Sequence, residues 1–196
     1  MITKTKKQEI FEEAAKLFQE KGYGAASMRD LADRVQLKAS SLYSHIRKKE
    51  EILQKICSDQ AHRFTEAMGE VEQMKASAGK KVETLLSLHI RTALEDPTSI
   101  TVFSDEWKHL EEPYLSEFLE RRRDYEQRFR DIIQQGIRTG EFQSLDPSTI
   151  LYTLLTAIRW LHYRQRPDSP LDAEKLEKEV IGLLMGGLKR DGQLVS

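Results

Sequence analysis

Cysteine, proline and strand-like alternation are scarce in this chain of 196 residues. Its single cysteine, Cys57, excludes an intrachain disulfide framework. Cys57 sits at helical spacing beside Ile56 and near Leu53, and reads as a small buried hydrophobe rather than a redox sensor. Five prolines punctuate the chain, and between them apolar residues recur at helical spacing. No apolar run approaches the roughly 18 residues of a membrane span. Nor is a secretory leader legible, because charge begins at Lys4 with no apolar stretch behind it. The expectation is a soluble, cytoplasmic protein with no membrane contact. Catalytic signatures are missing too: there is no glycine-rich phosphate loop, nucleophile elbow or zinc-ligand spacing. Glu106-x-x-His109 has the spacing of a helical di-iron ligand pair, but such a bundle needs a second pair and two further inward glutamates. No second Glu-x-x-His exists, so neither an enzyme nor a cofactor is expected.

What remains is helix. The pattern predicts an all-α fold of about nine helices, with the first over Lys6 to Lys21 and glycines 22 and 24 ending it. Ser27 caps a second helix, with Asp30 three residues on as its capping-box partner. A long helix starts near Lys49 and breaks around residues 76–79. Helices follow that carry Val82 to Ala93, then Ile100, Phe103, Trp107 and Leu110, then Leu115 to about Arg138. Asp146-Pro147 opens a helix expected to reach about Gln165, because the aspartate caps and proline suits the first helical position. Asp172 caps the last helix, and Lys189 to Ser196 reads as a loose tail.

Charge is unevenly spread. The net charge is −1, yet residues 1–49 hold 11 Lys/Arg against 6 Asp/Glu. A basic front on an acidic body suggests a nucleic-acid-facing end. In that front, Leu31, Ala32 and Val35 mark one short helix and Leu42 and Ile46 another, with Leu37 as the apolar plug between them. This is the spacing of a helix-turn-helix, whose second helix enters the major groove of DNA. That helix presents Ala39, Ser40, Ser41, Ser44 and His45, which are small or hydrogen-bonding. Arg47-Lys48-Lys49 follow at a helix start, where cations are unfavourable by a few tenths to about 1 kcal/mol each. A phosphate partner would explain that choice. Tyr43 has two readings, as a core residue beside Leu42 or as a phosphate contact.

The stretch Ala14-Ala15-x-Leu17-Phe18-x-x-Lys21-Gly22-Tyr23, then Leu31-Ala32, Leu42-Tyr43-x-His45 and Lys49-Glu50, resembles the TetR family of bacterial transcriptional regulators. The match is specific over the first quarter of the chain. It implies a three-helix DNA-binding head over residues 1–49 and a ligand-binding and dimerisation body over residues 50–196. It further implies that Tyr43, His45 and Lys49 contact the DNA backbone, that Ser41 also touches phosphate, and that Ala39, Ser40 and Ser44 face bases. Ser27, Arg29, Lys38 and Lys48 complete the candidate DNA contacts. Three departures stand out: Gln36 where the turn often has glycine, Lys38 where a capping serine is common, and Ile46 for a frequent phenylalanine. Gln36 is expected to strain the turn and Lys38 to give up a cap.

The implied partners are a palindromic double-stranded operator, a second copy of the chain through the last two helices, and a small-molecule effector that releases the repressor. The stretch from Trp160 to Pro170 resembles TetR-like regulators of lipid and acyl-CoA metabolism, pointing to an acyl or lipid-like effector. Candidate ligand contacts are Phe64, His89, Phe103, Trp107, Tyr125, Phe129, Arg159 and Trp160, each also readable as core. Arg159 is read equally as an anion contact, a cross-dimer partner or a solvent-facing side chain. The helix from Pro147 is apolar around most of its surface, so it is either central to the monomer or covered by another subunit. A nucleoid-type DNA binder without sensing remains the rival reading.

Overall fold

A computed structural model of the chain describes residues 5–163 and 172–189. The loop bearing Pro167 and Pro170, the expected helix end at Gln165 and the tail from residue 190 lie outside the described residues. Among the described residues there are nine α-helices: α1 Lys6–Lys21, α2 Met28–Arg34, α3 Ala39–His45, α4 Lys49–Gln73, α5 Ala78–Glu95, α6 Pro97–Asp105, α7 Tyr114–Thr139, α8 Pro147–Ile158 and α9 Ala173–Leu188. Short 3-10 helices, Trp107–His109 and Arg159–Tyr163, follow α6 and α8. The sixth helix therefore stops sooner than its apolar spacing suggested, and Leu110 follows in an extended conformation. The α-helix from Pro147 likewise gives way to a tighter coil at Arg159.

The ends form where local chemistry satisfies exposed backbone groups. Thr5 and Gln8 form a capping box on α1, as Ser27 and Asp30 do on α2. Such a box satisfies two N-terminal donors reciprocally. Asp146 and Asp172 accept from Thr149 and Lys175 at the starts of α8 and α9. Gly22 and Gly140, which end α1 and α7, adopt positive φ. So does Gln36, with φ 54 and a side chain that resists that region. Lys38 makes no side-chain cap for α3. Both departures in the turn thus behave as their residue types require.

The chain packs as two compact units, Met1–His62 with Thr98–Glu120, and Arg63–Pro97 with Arg121–Ser196. Helices α4 and α7 contribute to both. The first unit has one apolar core. Ile10, Leu17 and Phe18 of α1 meet Leu31 and Ala32 of α2, Leu42 of α3, and Ile52, Leu53 and Ile56 of α4. Val102, Leu110 and Phe118 belong to the same core, and Gln19 donates to Thr101 across 82 residues of sequence (3.3 Å). Cys57 is buried there, and burial pushes its thiol up to about 12.

In the second unit α5 packs on α8, α9 and the 3-10 turn Arg159–Tyr163. Glu141 accepts from the backbone of Ala78 and Gly79, closing the start of α5. Phe142 lies so close to Gly136 that a Cβ there would sit 2.3 Å from two ring carbons. Helix α8 buries Ile150, Leu151, Leu154 and Ile158. Tyr152 stays 48% exposed and Leu183 of α9 78% exposed. Gly182, Gly186 and Gly187 have open space where a Cβ would be.

Candidate nucleic-acid interface and effector site

Helix α3 is held by two buried anchors, Leu42 and the following Ile46, and everything else on it is exposed. Ala39, Ser40, Ser41, Tyr43, Ser44 and His45 all face outward, as do Lys38 and Lys48 to either side and Arg29 on α2. Tyr43 is 50% exposed, so it is a surface residue and not a core partner of Leu42. The Ser44 hydroxyl donates to the Ser41 carbonyl (2.7 Å), which leaves its oxygen as an outward acceptor. Such a short, outward-facing row suits base-edge and phosphate contacts.

Ser27 and Lys49 differ from the expectation in what their polar atoms do. Ser27 is exposed, but its hydroxyl donates to Asp30 at 2.5 Å. That bond and the Lys21 ammonium hold the Asp30 carboxyl well below the usual range. Lys49 is half-buried. Its Nζ donates to the carbonyls of Tyr23 (2.9 Å) and Ala26 (3.0 Å) and lies 4.3 Å from the centre of the Tyr23 ring. Two of three ammonium protons are thereby occupied, so Lys49 ties the first turn of α4 to the loop after α1. Burial, with the Glu50 carboxylate beside it, raises the Tyr23 phenol. Tyr23 in turn packs edge-on against Phe18 and stacks on His109, whose imidazole is 3.4 Å from Glu106. The Glu106/His109 pair singled out by its spacing thus stands beside the head's own tyrosine. Among the described residues no group of three or more metal-ligating side chains is assembled.

The candidate effector contacts fall into three places. Phe103 and Trp107 belong to the first unit, where both pack against Phe118. Phe64, His89, Tyr125 and Phe129 come together in the second unit. There His89 Nε2 is 2.8 Å from the Tyr125 hydroxyl, Phe64 stacks on His89 at 4.4 Å, and Phe129 meets Tyr125 edge-on. Arg159 and Trp160 sit on the surface. Trp160 is 46% exposed, so it is not the buried wall expected, and the Arg159 guanidinium donates to the Tyr163 hydroxyl (3.1 Å). Both lie in the 3-10 helix Arg159–Tyr163 that follows α8, and the exposure of Arg159 is one of the three readings its sequence left open.

His89 lies deep in its unit, where burial first and His162 second push its imidazole down to about 3. It nevertheless keeps accessible surface. On the same helix, Thr92 is 0% exposed and its buried hydroxyl makes no hydrogen bond. It follows His89 by three residues of α5. Buried Tyr125 is held protonated by the same desolvation.

Two family models match. One, described as bacterial regulatory proteins of the tetR family, covers residues 10–56, and the other, a tetracyclin repressor-like C-terminal domain, covers residues 75–188. The HTH-type transcriptional repressor KstR2 of Mycolicibacterium smegmatis is 26% identical, over 94% of this chain and 91% of its own. The solved structure of the ketosteroid transcriptional regulator KstR2 of Mycobacterium tuberculosis superposes with a TM-score of 0.88 at 22% identity, covering 96% of this chain and 97% of that one. AibR, solved with isovaleryl coenzyme A and operator DNA, gives 0.77 at 21% identity over 92% and 98%. These likenesses carry the fold, and the two matched models span the head and most of the body. The chain belongs to the TetR family of bacterial regulatory proteins.

Proposed function

We propose that the protein is a ligand-responsive transcriptional repressor of the cytoplasm. It binds a palindromic double-stranded operator as a homodimer, and a small-molecule effector releases it. The observation that carries this reading is helix α3, pinned by Leu42 and Ile46 with every other side chain facing outward. Residues 1–49 are the DNA-binding head, with Arg29, Lys38, Ser41, Tyr43, His45 and Lys48 toward phosphate and Ala39, Ser40 and Ser44 toward bases. Lys49 adds one remaining N–H to the phosphate set and otherwise positions α4. Ser27 serves as a cap.

Residues 50–196 sense and dimerise. The uncovered apolar side chains of α8 and α9, with the open glycines of α9, support pairing of those helices with a second copy. Relatives named as repressors support the sign of regulation, and the acyl-CoA complex of AibR supports an acyl or lipid-like effector. Helix α4 is continuous over 25 residues, about 37 Å at 1.5 Å per residue. A small tilt at its far end therefore displaces its first turn appreciably. By linkage, an effector preferring the DNA-incompatible state weakens operator binding by the factor with which DNA weakens effector binding, commonly 5–150-fold.

Footprinting the purified dimer on its own genome tests this reading. The expected result is protected palindromes with half-sites one helical turn, about 34–36 Å, or a multiple apart. Uniform coverage without preferred sites would replace it with the nucleoid-type reading.

A further inference from the structure

In the turn between α2 and α3 the residue types work against the observed backbone, and a side chain from α1 reaches across to it. We infer that Lys6 is a positioning residue for α3: its ammonium braces the turn that orients the recognition helix. The inference rests on the proposed DNA-binding function.

Three observations carry this. First, the turn has the bonding of a Schellman motif: the Leu37 N–H donates to the Ala32 carbonyl (2.9 Å) and the Gln36 N–H to the Asp33 carbonyl (3.3 Å). That motif puts the residue after the cap in the left-handed region and favours glycine there. Gln36 holds the position with φ 54, so its Cβ opposes the turn. Second, α3 begins without help, because Lys38 at its N-cap makes no side-chain cap. Third, Lys6 Nζ donates to the Val35 carbonyl at 3.0 Å, across 29 residues of sequence. Val35 is 2% exposed and caps the end of α2. Its carbonyl stands at the negative end of that helix, just before Gln36. An ammonium there satisfies an acceptor and meets the helix dipole favourably.

Lys6 also pairs with Glu9 at 2.9 Å in the first turn of α1, but an exposed i, i+3 pair contributes little. The bond to Val35 differs, since it joins two elements and ends on the carbonyl of a buried residue. By position in the chain, Lys6 counts toward the basic charge of the head. By geometry, two of its N–H groups are committed to Val35 and Glu9, much as Lys49 is committed to the loop after α1. Lys38 and Lys48, by contrast, are exposed. Lys6 therefore acts on DNA through the placement of α3 and not as a phosphate contact.

The test is a double-mutant cycle in the full-length protein: Lys6→Met, Gln36→Gly and the two together, with Lys6→Arg as the conservative variant. Anisotropy reads affinity for an operator duplex recovered by footprinting and for a scrambled duplex, each over a range of salt. Lys6→Met is expected to weaken operator binding about threefold to tenfold, as the fraction of heads with α3 in place falls. The scrambled duplex should change by less than about twofold, and the salt slope should hold, because no phosphate contact is lost. Lys6→Arg, which keeps a charged donor, should bind like wild type. With Gln36→Gly in place, the loss from Lys6→Met should shrink to less than about twofold, since glycine removes the strain that the brace offsets. Hydrogen exchange of the Leu37 amide reads the turn without DNA: faster in Lys6→Met, and restored in the double variant. A salt slope lowered by about one unit would make Lys6 a phosphate contact and overturn the inference. So would unchanged operator affinity, or equal losses with and without Gln36→Gly. Should Leu37 exchange behave as expected while the wild type prefers no sequence, the brace stands and the DNA-binding reading fails.

Discussion

Lys49→Met removes one ammonium and keeps most of its stem, so it isolates what the charge does. The Nζ makes two hydrogen bonds to main-chain carbonyls and one cation–π contact. Charge-assisted hydrogen bonds contribute about 1.5–3 kcal/mol where water cannot replace them. Here water can, in part, because Lys49 is half-buried and Gly24 and Ala25 between the two carbonyls are exposed. The ring contact adds about 0.5–1 kcal/mol at such a site. The expected net loss is about 2 kcal/mol. For a chain of this size that lowers the melting temperature by about 4–8 °C. Lys48→Met is the control: its side chain is exposed, and surface substitutions of that kind stay within about ±0.5 kcal/mol. DNA binding separates the two differently. Both variants should weaken binding to every sequence alike, and Lys48→Met should flatten the salt dependence by about one unit. Differential scanning calorimetry and salt-titrated anisotropy read these effects. Lys49→Met melting with the wild type would refute the clamp, whatever happened to DNA affinity.

Gly136→Ala should destabilise by about 1–3 kcal/mol by chemical denaturation, because the new methyl would stand 2.3 Å from the buried Phe142 ring. That clash outweighs the roughly 1 kcal/mol that alanine gains over glycine in a helix, and a stabilised variant would contradict the packing described. His89 folds neutral with its pKa down at about 3, so the unfolded chain takes up its proton first and stability falls as pH drops below about 6.5. At pH 5 that amounts to about 2 kcal/mol. His89→Gln, which cannot titrate, should lose that much less stability between pH 7 and pH 5, and parallel curves would rule the effect out. Tyr43→Phe should weaken binding to all duplexes equally, whereas Ser44→Ala should change sequence preference, as selection from a randomised duplex pool would show.

Much of the fold was legible because helix ends are local. Ser27 with Asp30, Asp146 with Pro147, and Asp172 each announce a start within three or four residues, and the structure uses all of them as caps. The cost of Gln36 in the turn was legible for the same reason. Long-range features were not. Nothing in the residues around Val102, Leu110 and Phe118 says that they complete the core under α1 and α3. The clamp on Lys49 ends on two carbonyls, and main-chain acceptors carry no residue identity. Thr92 looks like any helical threonine until its hydroxyl is found without a partner. Trp160 misled because apolar periodicity assumes that the α-helix continues, and past Ile158 it does not. The outward face of α3 was readable, since two anchors four residues apart leave every other position outside.

The central claim is that operator binding and effector binding oppose each other in one dimer. Fluorescence anisotropy of the full-length protein on a labelled palindrome recovered by footprinting, with and without a panel of acyl-CoA thioesters, measures it directly. The account predicts one dimer or a multiple of it per palindrome, far weaker binding to an isolated half-site, and a 5–150-fold loss of operator affinity with at least one thioester. A half-site bound by monomer as tightly as the palindrome, or operator affinity unmoved while a thioester is bound at saturation, would contradict it.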